Sequence, residues 1–373
     1  MSGRRIGVTG PHGFIAGHLI ERLGREPNVE VVTADRATFA DPRLLREFVT
    51  GCDAIVHLAG VNRGVDEEVQ RANHELADQL AEAIEATGAK PHLLYSSSTQ
   101  RSRGNVYGDA KQYGESRFTE LAVSHDVPVT VLVIPNVYGP GCKPFYNSVV
   151  ATFCHQLAHG ETPQVLTDRR VEFVGVRELI EFIWRHVSDR PYNPRIMWVP
   201  AGAQLGVSEL LAKLVRFRDD FLQRHVVPDL AHPLDASLYA TFLSYVDLDR
   251  HRHRPQVHAD DGGSLYEIIK LANGGQVFFS TTKPGVTRGD HYHTRKVEWF
   301  CVLKGEAVIR LRRVGQREMR EFHVSGESPE FISIPVFHTH HIENIGDGEL
   351  LTMFWCNEIF SADDPDTFFE KVA

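Results

Sequence analysis

The sequence lacks the features of a membrane protein, a secreted protein and a nucleic-acid-binding protein. No apolar run approaches the roughly 20 residues that span a bilayer. The first residues, MSGRRIGVTG, lead directly into a strand pattern and do not resemble a signal peptide. The formal net charge is −9, and the sequence has no Lys/Arg cluster of the kind that neutralises phosphates. We therefore expect a cytoplasmic protein with neither a membrane nor a nucleic-acid partner.

Cysteine is also scarce. The five cysteines are scattered and none forms a Cys-x-x-Cys pair, which disfavours a disulfide framework and a cysteine-based zinc site. A length of 373 residues favours two domains. We place them at residues 1–247 and 248–373, because the charged run Asp249–Pro255 is typical of a solvated linker.

The N-terminal residues predict a dinucleotide-binding α/β domain. A strand pattern at residues 5–9 runs into a glycine-containing turn and then into a helical pattern. Gly10 and Gly13 let the backbone turn tightly and approach a pyrophosphate, and the helix N-terminus that follows offers free N–H groups. The predicted cofactor contacts in this turn are Gly10, Gly13, Phe14 and Ile15.

The second strand ends at Asp35 and Arg36, where a dinucleotide fold meets the adenosine ribose. An acidic residue here selects NAD, whereas an arginine pairs with the 2'-phosphate of NADP. Both are present, so the choice stays open, and Arg36 inclines us to NADP(H). The third strand breaks at small residues, as expected beside a cofactor, and the further predicted contacts are Leu58, Ala59, Gly60 and Asn73.

Tyr107 and Lys111 are four residues apart and therefore share one helix face. The ammonium lowers the pKa of the phenol, while a serine hydroxyl upstream binds a substrate carbonyl. Ser98 is the preferred serine, with Ser97 and Thr99 as alternatives. This combination is typical of carbonyl reduction.

These segments, over roughly residues 4–245, resemble the extended short-chain dehydrogenase/reductases that act on nucleotide sugars. The resemblance implies that Tyr107 is the proton donor and that Lys111 activates it and binds the nicotinamide ribose. Gln100 and Arg101 stand where dehydratases of this class have an Asp-Glu pair, which favours reduction over water elimination. Asn136 and Asn147 are the expected substrate contacts, although Asn147 is equally suited to cap a helix.

The C-terminal residues predict a metal site on a β-barrel. Short alternating strand patterns separated by turn residues favour a small barrel. His291 and His293 are two apart on a strand and share a face, where Glu298 and His340 can join them. Three imidazoles and a carboxylate bind zinc or another divalent transition metal. The spacing matches the two-part cupin motif, with His338 as an alternative to His340.

A rival role exists for His291. Residues 280–292 resemble the metal-free 4-keto-sugar 3,5-epimerases, in which a histidine is the general base. If His291 binds metal instead, Lys283, Tyr292 and Glu267 become the acid/base candidates. A metal that only stabilises the barrel is a third reading.

Taken from end to end, the chain resembles the CapF-type capsular polysaccharide enzymes. Its most specific segments are His57–Arg63, Tyr146–Val149 and Asn357–Phe360. The implied fold is a Rossmann-type doubly wound α/β sheet followed by an all-β cupin (jelly-roll) barrel. The implied reactions are cupin-catalysed epimerisation at C3 of a UDP-linked 4-keto sugar and NADPH-dependent reduction at C4, in a zinc-containing homodimer. Two alternatives are a reductase whose barrel only binds or dimerises and an Fe(II) oxygenase.

Overall fold

The computed structural model describes residues 3–373 and divides the chain into two compact units. The first unit extends to Val215 and also takes in Pro233–Val246. The second unit contains Arg216–His232 and Asp247–Ala373. The second unit is therefore discontinuous in sequence, whereas we expected one boundary, between residues 247 and 248.

The first unit is built on parallel strands. In chain order its strands are β1 (Arg4–Thr9), β2 (Val29–Ala34), β3 (Ala54–His57), β4 (His92–Ser98), β5 (Val129–Ile134), β6 (Asn136–Tyr138), β7 (Arg170–Gly175), β8 (Arg195–Trp198) and β9 (Ala203–Gly206). The main sheet has six strands in the order β2-β1-β3-β4-β5-β8, and β6, β7 and β9 form a small second sheet. The strand order reverses at β1. Ligands of open parallel sheets bind at the carboxyl ends of the strands beside such a reversal.

Nine α-helices lie within residues 3–373. They are α1 (Phe14–Leu23), α2 (Arg36–Ala40), α3 (Pro42–Thr50), α4 (Asp66–Thr87), α5 (Val106–His125), α6 (Val149–Ala158), α7 (Val176–His186), α8 (Val207–Asp219) and α9 (Pro233–Leu243). The Asp41 carboxylate caps α3, and Gly88 ends α4 in the left-handed conformation. No helix within residues 3–373 is long and apolar enough to cross a bilayer.

Both faces of the main sheet are covered, as β3 illustrates. Ile55 packs in an apolar core with Leu80 of α4 and Phe118 of α5. Its neighbour Val56 points to the opposite face and packs in a second core with Leu19 of α1. This alternation confirms the predicted doubly wound α/β fold, and it leaves the ends of the strands free to build a site.

The second unit consists mainly of β-strands. They are β10 (Val226–Val227), β11 (Gln256–Asp260), β12 (Gly263–Leu271), β13 (Gly275–Thr282), β14 (Thr287–Tyr292), β15 (Glu298–Lys304), β16 (Glu306–Arg313), β17 (Met319–Ser325), β18 (Phe331–Ile334), β19 (His338–Asn344), β20 (Leu350–Cys356) and β21 (Phe368–Phe369). One sheet has the order β10-β12-β13-β20-β15-β18 with β11 beside β12, and the other has the order β17-β16-β19-β14-β21. Phe300 and Phe354 of the first sheet share a core with Ile309 and Ile342 of the second. This arrangement of two packed sheets confirms the predicted all-β fold.

Candidate active sites

Gly10 and Gly13 form the turn between β1 and α1. Gly10 has a φ of +67°, and a Cβ there would lie 3.0 Å from the Cα of Ala59, so both the conformation and the space require glycine. Gly13 precedes α1 without a side-chain cap. The first N–H groups of the helix, beginning at Phe14 and Ile15, therefore lack helical acceptors and can bind an anion.

Thr9, the last residue of β1, organises the end of β3. Its hydroxyl oxygen accepts hydrogen bonds from the backbone N–H groups of Leu58 and Ala59, each at 3.0 Å, and lies 2.9 Å from Nδ1 of His57. Burial, with the Lys111 charge nearby, lowers the pKa of His57 to about 3, so the imidazole is neutral. The hydroxyl can therefore donate its proton to Nδ1. Sequence reasoning missed Thr9, since a threonine ending a strand carries no motif of its own.

Gly60 lies beside the predicted cofactor and catalytic residues. A Cβ on Gly60 would lie 2.9 Å from Oδ1 of Asn73 and 3.5 Å from Nζ of Lys111. The Asn73 amide donates to the carbonyls of Val61 (2.6 Å) and Val69 (2.7 Å) and accepts from the N–H of Val61 (3.2 Å). Asn73 thus holds the loop after β3, and its amide is largely engaged within the chain.

Asp35 and Arg36 lie at the end of β2. The Asp35 carboxylate caps α2 by accepting from the N–H (3.0 Å) and the hydroxyl (3.1 Å) of Thr38, and the N–H bond holds its pKa below the usual range. The Arg36 side chain is exposed and has no hydrogen bond or ion pair within residues 3–373. The guanidinium therefore keeps all its donors for a ligand.

Tyr107 and Lys111 lie one turn apart near the start of α5, which the Asn105 side chain caps through the N–H of Gly108. Nζ of Lys111 is 5.7 Å from the ring centre of Tyr107. Burial lowers the pKa of Lys111 to about 8, while Glu115 opposes this shift. The expected lowering of the Tyr107 pKa by the ammonium is wrong, because burial raises this pKa to about 12. The phenol therefore stays protonated and able to act as an acid.

Three successive serines end β4, and their hydrogen bonds differ. Ser96 donates to the carbonyl of His57 (2.9 Å), and Ser97 donates to the carboxylate of Glu115. Ser98 only accepts, from the N–H of Gln100 at 3.2 Å, so its hydroxyl proton is unused within residues 3–373. Of these serines, Ser98 is therefore the one able to donate to a substrate.

Asn136 and Asn147, the predicted substrate contacts, lie on separate segments. The Asn136 amide donates to the carbonyl of Glu172 (3.2 Å), and the Asn147 amide donates to the carbonyl of Asn62 (2.7 Å) in the loop after β3. The alternative role of Asn147 as a helix cap is wrong, because the Ser148 hydroxyl caps α6. Asn147 is exposed, so its oxygen is accessible to a ligand.

In the second unit, the four predicted metal-binding residues form one cluster. One ligand atom from each of His291, His293, Glu298 and His340 lies within 4.8 Å of the others. Strand pairing explains the grouping, because His291 of β14 lies opposite His340 of β19. His338, the alternative to His340, lies outside the cluster and bonds the carbonyl of Val336 through its ring.

The cluster suits a divalent metal ion because it contains buried nitrogen and oxygen atoms that are available as ligands. Nε2 of His293 and Nε2 of His340 lie 3.3 Å and 3.1 Å from Oε2 of Glu298. All three atoms are shielded from solvent, and none of them makes a hydrogen bond of normal geometry within the described chain. The opposite ring atoms are engaged, since Nδ1 of His293 bonds the carbonyl of Asp366 and Nδ1 of His340 bonds the carbonyl of His338. These carbonyls fix the tautomers so that both Nε2 lone pairs face the centre.

The charges of the cluster also suit a cation. Burial lowers the pKa of His291 to about 4, so this imidazole is neutral at pH 7. Burial disfavours the charged forms of Glu298 and His293, but the contacts of the Glu298 carboxylate with His293 and His340 outweigh it. The pKa of Glu298 is therefore lowered well below its usual range and that of His293 is raised. The buried carboxylate is ionised and supplies the negative charge that attracts a metal.

The cluster opens into a cavity of about 450 Å³ inside the second unit. Of the predicted acid/base candidates, Glu267 lines this cavity and Lys283 and Tyr292 do not. Tyr292 ends β14 between the inward-facing His291 and His293, so its side chain points to the opposite face, where it stacks on Phe368. Lys283 is exposed in the turn before β14. The structure thus brings one of the three candidates to the metal-site cavity.

Sequence reasoning missed two cationic residues that line the cavity, Arg288 and Lys296. Lys296 is buried and donates to the carbonyl of Pro365 at 2.6 Å. Nε of Arg288 is buried without a hydrogen-bond partner in the described residues. In sequence both resemble ordinary surface charges, and nothing in their local pattern marks them as inward-facing.

Comparison with known proteins places both units in established families. Residues 6–197 match the NAD dependent epimerase/dehydratase family, and residues 258–368 match the polysaccharide biosynthesis C-terminal domain. A UDP-2-acetamido-2,6-beta-L-arabino-hexul-4-ose reductase from Pseudomonas aeruginosa is 33% identical over 366 residues, which are 98% of each chain. The crystal structure of the capsular polysaccharide assembling protein CapF from Staphylococcus aureus is 35% identical, with a TM-score of 0.87 over 98% of this chain and 100% of that one.

A UDP-glucose 4-epimerase from Thermotoga maritima, 18% identical with a TM-score of 0.56, covers 65% of this chain and 98% of its own, and it supports the fold alone. The dinucleotide-binding fold and the family match together show that the chain is a nicotinamide-dependent enzyme of the nucleotide-sugar reductase and epimerase class. The end-to-end likeness is more specific: the chain belongs to the CapF-type family of capsular polysaccharide biosynthesis enzymes. The predicted family is thereby confirmed.

Proposed function

We propose that the chain performs two consecutive reactions on a UDP-2-acetamido-2,6-dideoxy-4-hexulose. The second unit epimerises C3, and the first unit then reduces C4 with NADPH to give UDP-2-acetamido-2,6-dideoxy-L-talose. The observation that carries this proposal is the cluster of His291, His293, Glu298 and His340, whose unsatisfied buried atoms open into a cavity large enough for a sugar. The similarity to the Pseudomonas enzyme, a reductase of a UDP-linked 4-keto sugar, supports the substrate class.

The reductase chemistry follows from three side chains of the first unit. Bound NADPH supplies the hydride for C4. Ser98 donates a hydrogen bond to the C4 oxygen, and Tyr107 gives its proton to that oxygen as the carbonyl becomes an alcohol. Lys111 stabilises the resulting phenolate with its ammonium group, which lies within 5.7 Å of the Tyr107 ring. Arg36, whose donors are unused, supports NADPH over NADH because a guanidinium pairs with the 2'-phosphate.

Epimerisation at C3 uses the acidity that the C4 ketone confers on the neighbouring C–H bond. A zinc ion held by the four-residue cluster would act as a Lewis acid on the carbonyl oxygen. Glu267, which lines the same cavity, is the candidate base that takes the C3 proton. Return of a solvent-derived proton to the other face of C3 inverts the centre, and the proton taken by Glu267 is released to solvent. The reductase step must come second, since it removes the ketone that makes C3 acidic.

The two activities are separable by substitution. His293→Ala should abolish exchange of the C3 proton with solvent and leave C4 reduction of a 3-epimerised substrate intact, because the two steps use different units. Tyr107→Phe should have the opposite effect. His338→Ala is the matched control, since His338 lies outside the cluster, and it should retain both activities.

If His293→Ala keeps wild-type C3 exchange, the barrel is not a metal-dependent epimerase. In that case the chain would be a reductase whose barrel only binds or dimerises. We also propose a homodimer, as the family resemblance implies, and light scattering of the purified protein tests it.

A further inference from the structure

Asp366 lies far along the chain from the metal-binding cluster yet contacts the loop that joins two of its members. Its carboxylate accepts the backbone N–H groups of Thr294 (3.1 Å), Arg295 (3.0 Å) and Lys296 (3.0 Å) and the Thr294 hydroxyl (2.6 Å). This loop connects His293 directly to Glu298. Asp366 is only 3% exposed, so these charge-assisted bonds are shielded from water.

The backbone of Asp366 contacts the cluster as well. Its carbonyl accepts the Nδ1–H of His293, which leaves the Nε2 lone pair directed at the other ligand atoms. Asp366 adopts a φ of +43°, in the left-handed region that non-glycine residues rarely occupy. The carboxylate of Asp366 therefore binds the loop, and its carbonyl binds His293, the ligand that precedes the loop. The surrounding contacts stabilise the uncommon backbone conformation of Asp366.

We propose that Asp366 is a positioning residue of the metal site, acting through His293 and through the loop to Glu298. This inference rests on the proposed function, since it presumes that the cluster binds a metal ion. Three consecutive N–H groups on one carboxylate fix the path of the loop, and the carbonyl fixes the tautomer and tilt of the His293 ring. Loss of the carboxylate frees the loop, so both ligands lose their preset geometry before the metal arrives.

The test is the metal affinity of the full-length protein. Asp366→Asn keeps the shape of the side chain but presents an N–H₂ group and only one acceptor oxygen to the loop. Its affinity for Zn²⁺, measured by competition with a chromophoric chelator, should fall by about 10-fold to 100-fold, as is typical when an outer partner of a metal ligand is lost. Asp363→Asn is the matched control, because Asp363 is exposed and has no partner within residues 3–373, and it should bind Zn²⁺ like the wild type.

Thr294→Val is a milder variant for the case in which Asp366→Asn does not fold. It removes one of the bonds to the carboxylate and should weaken Zn²⁺ binding by a smaller factor. The absorption spectrum of the Co²⁺-loaded protein should also change in both variants, because it reports the ligand geometry.

A variant that melts at a lower temperature yet binds Zn²⁺ with wild-type affinity and an unchanged Co²⁺ spectrum would overturn the inference and leave Asp366 as a fold-stabilising residue. If the wild-type protein itself binds no Zn²⁺ or Co²⁺, the metal-dependent function fails instead. The two failures are thereby distinguished.

Discussion

Thr9→Val should destabilise the first unit, although the substitution hardly changes the volume of the side chain. Valine preserves the shape of the side chain and suits a β-strand, so no cavity forms. The hydroxyl, however, serves three partners: the N–H groups of Leu58 and Ala59 and the Nδ1 of His57. At about 1 kcal/mol for each hydrogen bond, the loss is about 3 kcal/mol. That is a large part of the roughly 5–15 kcal/mol by which domains are stable.

The assay is urea unfolding of the full chain, combined with hydrogen exchange of residues 58 and 59. Their amides should exchange faster in Thr9→Val, and the affinity for NADPH should fall because this loop borders the predicted cofactor crevice. Thr33→Val is the control. Thr33 lies on β2 opposite Val8 of β1, and its side chain is exposed and has no partner within residues 3–373. It should change the free energy of unfolding by less than about 0.5 kcal/mol. Equal stability and equal amide exchange in wild type and Thr9→Val would refute the role of this hydroxyl.

Further predictions concern the chemistry. Tyr107→Phe should lower kcat for C4 reduction by at least about 100-fold with little change in the Kd of NADPH; a smaller loss would exclude Tyr107 as the proton donor. C4 reduction should slow as the pH rises through about 8, because burial lowers the pKa of Lys111 to about 8 and the ammonium form is the one that assists Tyr107. A pH profile of kcat/KM that stays flat to high pH, or one that keeps this limb in Lys111→Met, contradicts that assignment. Gly60→Ala should raise the KM for NADPH, since its Cβ would lie 2.9 Å from Oδ1 of Asn73; an unchanged KM would mean that the loop adapts. Removal of metal with a chelator should stop C3 exchange but not C4 reduction of a 3-epimerised substrate, and added Zn²⁺ should restore the exchange.

The features that were predictable from sequence are those fixed by local periodicity. Tyr107 and Lys111 share a helix face because they are four residues apart, and His291 and His293 share a strand face because they are two apart. The same alternation places Tyr292 on the opposite face, so its absence from the cavity follows from a rule already available in the sequence.

The remaining features depend on contacts between residues distant in sequence. Thr9 meets residues 58 and 59 because β1 and β3 are neighbours in the sheet, and neither segment encodes that hydrogen bond alone. Asp366 reaches His293 from the end of the chain, across 73 positions. The inward orientation of Lys296 depends on the carbonyl of Pro365 and has no local pattern either. The assignment of Arg216–His232 to the second unit was likewise not predictable from sequence, because the only strand in this segment is two residues long.

Proton exchange at C3 by the wild-type, metal-loaded protein distinguishes a C3 epimerase from a reductase with a structural barrel. The UDP-linked 4-keto sugar is incubated in buffered heavy water without NADPH, and the C3 position is analysed by NMR and mass spectrometry. We predict deuterium at C3 and a mixture of the two C3 epimers, with C4 still a ketone. Absence of deuterium at C3, in a preparation that reduces an authentic 3-epimerised substrate when NADPH is added, would contradict it.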